Sequence, residues 1–128
     1  MKTKEMKIAG KDVTLAYCFG TEIGYKMLTD EDVHSFLTEA IASLNDKPAR
    51  IPDLRKTIYL IVACATAYYE SKGQKSPIED KDLMYNAEPT EVGTALGTVI
   101  NLYAEFYHLP KEEPKDKEPK GGKKRKNA

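Results

Sequence analysis

Catalysis and metal binding draw on a short list of side chains, and this chain offers few of them in useful spacing. Its two histidines, His34 and His108, lie far apart, and neither has a partner four residues away that would form a metal pair or an acid–base couple. Each reads as a surface or helix-end histidine. Cys18 follows a strand-like segment and precedes a helix-like one, a place where a nucleophile could sit, but nothing nearby in sequence would lower its pKa. Cys18 and Cys64 have no second pair to build a disulfide framework, so both read as buried reduced thiols. Neither a Cys-x-x-Cys pair, a phosphate-binding glycine loop nor a nucleophile elbow occurs in the sequence. The acidic groups Asp30-Glu31-Asp32 and Glu79, Asp80, Asp82 suit the positive ends of helices, and the second lacks the glycine and terminal glutamate of a calcium loop. No catalytic residue, cofactor or metal is expected.

Tyrosine is the informative residue type. Tyr59, Tyr68, Tyr69, Tyr85, Tyr103 and Tyr107, six of the eight tyrosines, fall from residue 59 onward in a chain that has no tryptophan. Tyrosine offers a large contact area at low entropic cost, so a set of this size is expected to leave an aromatic patch for a partner. Tyr69, Tyr103 and Tyr107 are the expected partner-binding residues. They would sit on a surface built from the last two long helices, whose apolar content exceeds the need of one central seam.

These side chains must be carried by helices. Val33, Phe36, Leu37, Ala40, Ile41 and Leu44 fall at the 3, 4, 7, 8, 11 spacing of an amphipathic helix, with Thr29 or Asp30 as its cap. Before it, Thr21 can cap a short helix to Leu28, with Ile23 and Met27 on one face. Asp53 to Lys72 predicts a long helix between Pro52 and Gly73, apolar almost all the way round and therefore central. A short acidic turn follows, then a last helix from about Thr90 to His108 marked by Val92, Leu96, Val99, Tyr103 and Phe106. Gly93 and Gly97 interrupt it at about 1 kcal/mol each relative to alanine. Their spacing allows another backbone to come close: either the long helix through Ala63 and Ala67, which is preferred because a central helix needs a near neighbour, or a second subunit. At the other end, Lys7–Ala9 and Val13–Tyr17 flank Gly10-Lys11-Asp12 as a short hairpin. A lone hairpin is marginal in water and must lie on the helices or pair with another copy, so a homo-oligomer is expected.

The expected fold is thus mainly α, a bundle of four to five helices with a short N-terminal β-hairpin over residues 5–108. From residue 109 to 128 a charged tail with three prolines and no large apolar residue beyond Leu109 is expected to be disordered. That segment holds eight Lys/Arg against four Asp/Glu, so residues 1–108 hold twelve against sixteen, and a net charge of zero hides an acidic body and a basic end. Nucleic-acid binders carry their basic surface on the folded domain, which makes nucleic acid an unlikely partner here; a regulatory or nucleic-acid-binding accessory role through Lys123-Lys124-Arg125-Lys126 is the alternative. The segment MKTKEMKIAGK lacks the apolar core of a secretory signal, and the longest apolar stretch, Ile58–Tyr69, is too short to span a bilayer. A cytoplasmic protein with no membrane association is expected.

The order of parts is a hairpin, the step Cys18-Phe19-Gly20-Thr21 opening a helix, an amphipathic helix, the run Ile61-Val62-Ala63-Cys64-Ala65-Thr66-Ala67, a short acidic segment, a last amphipathic helix and a charged tail. This layout resembles the tail assembly chaperones of long-tailed bacteriophages and prophages. The resemblance implies a non-enzymatic, self-associating helical protein of the bacterial host's cytoplasm. Its partners would be the tape-measure protein, which such chaperones coat, and the tail-tube protein that they bring to it. Many such proteins are made in two lengths by translational frameshifting. No site residue carries over from the family.

Overall fold

A computed structural model describes residues 1–110 of the chain. Strands β1 (Lys2–Ile8) and β2 (Lys11–Tyr17) are followed by helices α1 (Phe19–Thr29), α2 (Val33–Leu44), α3 (Leu54–Ser71), α4 (Asp80–Asn86) and α5 (Pro89–Phe106). The fold is mainly α with a two-stranded antiparallel hairpin. Leu109 and Pro110 follow α5, and the expected disorder of the rest of the tail concerns residues outside those described.

The hairpin is longer than its sequence suggests and turns earlier. Ala9 and Gly10 take φ of 52° and 78° between the closing pair Ile8 and Lys11, the two-residue turn whose twist matches paired strands. β1 escapes a reading by alternation because only Ile8 is buried and Met6 half-buried along its seven residues. β2 supplies the core instead, burying Val13, Leu15, Ala16 and Tyr17. The hairpin lies on its own chain, with β1 against α5 and β2 against α3.

α3 is central, as its all-round apolar character demands. Thr57, Ile58, Leu60, Ile61, Ala63, Cys64 and Ala65 are buried among α1, β2, α4 and α5. Each large aliphatic side chain so buried contributes about 1.5–3 kcal/mol. The hairpin covers part of the apolar surface of α3 and α5. α2 buries Val33, Phe36, Leu37 and Ala40, the expected face, while Ile41 and Leu44 are half-buried.

The close helix contact is real but its glycines are different ones. A Cβ built on Gly93 or Gly97 would meet nothing within 4 Å, so these two do not bring α5 against α3. Gly20 and Gly24 do the work on α1: a Cβ on Gly24 would lie 3.7 Å from Ala63 Cβ, and one on Gly20 would lie 3.8 Å from Ala67 Cβ. Ala63 and Ala67 present the small surface expected of them, to the opposite neighbour.

Caps fix the helix ends. Thr21 acts from the third position of α1, accepting the Cys18 N–H at 3.3 Å and donating to the Ala16 carbonyl at 2.8 Å. Asp30 ends α1 with φ of 62°, and Asp32, not Thr29 or Asp30, is the residue that starts α2. Asp53 accepts the Lys56 N–H at 3.0 Å to open α3, and Gly73, at φ of 72°, closes it. Glu91 Oε1 accepts both the Glu88 N–H, at 2.9 Å, and the Ala9 N–H, at 3.2 Å, so one carboxylate caps α5 and holds the hairpin turn. No helix among the described residues is long and apolar enough to cross a membrane.

Candidate protein-binding surface

The largest gathering of titratable side chains lies where β2 ends, between α1, α2 and the last turn of α5. Glu22 Oε2 accepts the Tyr17 hydroxyl at 2.8 Å and the Tyr107 hydroxyl at 2.5 Å, and His34 Nε2 is 3.4 Å from the same oxygen. His34 Nδ1 is 3.1 Å from the Tyr103 hydroxyl, and the His34 ring lies against the rings of Tyr103 and Tyr107, each at 5.6 Å. The bond to the Glu22 carboxylate holds Tyr107 up to about 12. Burial first, and the Glu22 bond second, push Tyr17 up as well. Tyrosines so held stay protonated at neutral pH and are poor nucleophiles or bases. Through these contacts one carboxylate ties three helices to the strand end. Sequence spacing could not show it, since Glu22 and Tyr107 are 85 positions apart.

Two of the three expected partner-binding tyrosines belong to that cluster. Tyr103 and Tyr107 are half-buried, pack edge to face at 5.4 Å and bring their hydroxyls to His34 and Glu22. Tyr69 stands apart, half-buried on α3, its hydroxyl accepting the Thr14 N–H at 3.1 Å. All three hydroxyls serve internal bonds, and more fully exposed apolar side chains lie elsewhere.

They lie on α1. Phe19, Ile23 and Met27 are 63%, 62% and 80% exposed, and their spacing of four residues sets them in one row along the outer face. The sequence shows the Ile23–Met27 pair but not its direction. Gly20, Thr21, Gly24 and Tyr25 occupy the inner face, where Gly20 and Gly24 lie close to Ala67 and Ala63 and where Thr21 and Tyr25 are buried. With the inner face taken, the row must point outward. It continues past the helix start, where Phe19 packs edge to face on half-buried Phe106 at 5.3 Å. Leu54 and Met84 form a smaller exposed pair beside Ile58 and Tyr59.

The remaining candidates for chemistry are quiet. Burial pushes the Cys64 thiol up, and half-buried Cys18 has its sulfur 3.9 Å from the Thr21 hydroxyl. Among the described residues no group of three or more His, Cys, Asp or Glu is placed to hold a metal ion. Glu31 pairs with Lys56 at 2.8 Å, and Asp82 is held below its usual range by the Glu79 N–H and by Lys11, so both acidic groups have structural partners. No protein-family model, no curated protein and no solved structure matches this chain.

Proposed function

We propose that the protein is a non-catalytic chaperone of the phage tail assembly kind, which self-associates and holds a helical stretch of a tape-measure protein for delivery of tail-tube subunits in the host cytoplasm. The observation that carries this is the exposed row Phe19, Ile23 and Met27. Apolar side chains four residues apart on a rigid helix match the i, i+4 anchors of an amphipathic partner helix. An ordinary soluble surface scatters its exposed apolar residues singly, and a contiguous row marks a contact site. The remaining exposed area of each side chain supports a contribution of about 1–2 kcal/mol on burial. The order of elements supports the same reading.

The test is co-expression of the full chain with segments of a tape-measure protein, followed by affinity capture. The proposal expects one or more helical segments to be retained by the parent and lost when Ile23 and Met27 are both replaced by serine. Failure of the parent to retain any segment, or of a tail-tube protein to join the complex, removes the proposal.

A further inference from the structure

The hairpin has two edges, and the chain closes only one. Across a two-residue turn the closing pair, Ile8 with Lys11, exchanges both backbone hydrogen bonds, and bonded and non-bonded pairs alternate from there. Lys7 with Asp12, Glu5 with Thr14 and Thr3 with Ala16 are therefore the non-bonded pairs, and their N–H and C=O groups point out of the hairpin. On β2 two of these groups are met within the chain: Tyr69 accepts the Thr14 N–H, and the Ala16 carbonyl accepts the Thr21 hydroxyl. On β1, Thr3, Glu5 and Lys7 are exposed, and their outward backbone groups have no hydrogen-bond partner among the described residues. An open strand edge of this kind is a template for another strand.

Charge selects the occupant. β1 exposes Lys2, Lys4 and Lys7 against the single acid Glu5, and none of the four is in an ion pair among the described residues. A second copy of β1 would bring together two strands that each carry three lysines against one glutamate, a like net charge that disfavours their pairing. Residues 111–128 carry eight Lys/Arg against four Asp/Glu, so the chain's own tail is of the wrong sign. We propose that the outer edge of β1 receives an extended acidic segment of a partner protein as a third strand. Its backbone would complete the bonds of Thr3, Glu5 and Lys7, and its carboxylates would lie beside Lys2, Lys4 and Lys7. This surface is separate from the row on α1 and does not depend on it.

The probe is a fluorescent peptide of about nine residues alternating glutamate and valine, a length that covers one strand, titrated against the full chain by anisotropy. The same peptide with alternate amides N-methylated keeps its charge but cannot pair, and Glu5→Pro removes an outward N–H that β2 does not use, where an edge strand tolerates proline. Saturable binding by the parent, weakened at least about tenfold by N-methylation, by Glu5→Pro in a folded variant and by Lys4→Glu with Lys7→Glu, supports the proposal. Should Glu5→Pro unfold the hairpin, the N-methylated peptide decides alone. No binding by the parent, equal binding of the methylated peptide, or equal binding of a single-stranded oligonucleotide would overturn it, the last by showing attraction to any polyanion.

Discussion

Replacing Gly93 and Gly97 by alanine separates two placements of α5, against its own chain or against a second copy, that the sequence leaves open. Each added methyl would meet nothing within 4 Å, so the substitution should gain the helix propensity of alanine without steric cost. That gain is about 0.8–1.0 kcal/mol per site in a helix interior. For a domain near a hundred residues it corresponds to a rise in Tm of roughly 4–8 °C per kcal/mol. The sites are one helical turn apart and share no partner, so the double variant should show nearly the sum. Thermal unfolding followed by circular dichroism in dilute solution reads this directly, and light scattering over a concentration series reads association. A fall in Tm in dilute solution would mean that the two glycines face a neighbouring element of the same chain, which would refute the placement of α5. A rise in Tm joined to a loss of self-association would locate the contact between copies on this face.

Further perturbations address the core and the clasp. Glu22→Ala leaves the Tyr17 and Tyr107 hydroxyls without their shared acceptor and should cost about 2 kcal/mol, the range for hydrogen bonds to a charged group, read by urea unfolding; an unchanged midpoint would show that the clasp is not holding α5. Tyr107 and Tyr17 are both raised above the ordinary tyrosine value near 10. Since the folded state favours their protonated form, their contribution to stability is complete below pH about 10; that of Tyr107 is lost as pH rises through about 12, while Tyr17 is held higher still. Melting temperature should fall across that window together with the rise of tyrosinate absorbance, and full titration near pH 10 with the fold intact would contradict the assignment. Leu60→Ala, at a fully buried site of α3, should cost about 2–5 kcal/mol, whereas Tyr85→Ala, at a side chain 76% exposed, should stay within about 0.5 kcal/mol.

How far the sequence carries depends on the range of the interaction. α2, α3 and α5 were legible because their apolar spacing is local and strong, and the end of α3 because Gly73 is a local signal, whereas the start of α2 was misplaced among three neighbouring residues, Thr29, Asp30 and Asp32, that could each cap it. β1 was mostly hidden, since a strand exposed on nearly every residue has no alternation to read. The partner of Ala63 and Ala67 was misplaced because two glycine pairs of equal spacing, Gly20 with Gly24 and Gly93 with Gly97, are indistinguishable until the chain is folded. The clasp at Glu22 is a pairing over long separation, and no periodicity reports it. The tyrosines were correctly seen as numerous, but whether a hydroxyl faces solvent or a carboxylate is a tertiary fact. Phe19, Ile23 and Met27 could have been found by asking which face of α1 is small enough to pack.

The central claim is that the row on α1 is the contact for a helical partner. The measurement that tests it most directly is the affinity of a tape-measure helix for the Ile23→Ser variant, compared with the parent by calorimetry after both are shown to have the same circular dichroism and Tm. The side chain is 62% exposed, so the fold should be indifferent to the change. Losing about 1–2 kcal/mol of contact should weaken binding roughly five- to thirtyfold. Equal affinity in two equally folded proteins would place the contact elsewhere and contradict the account.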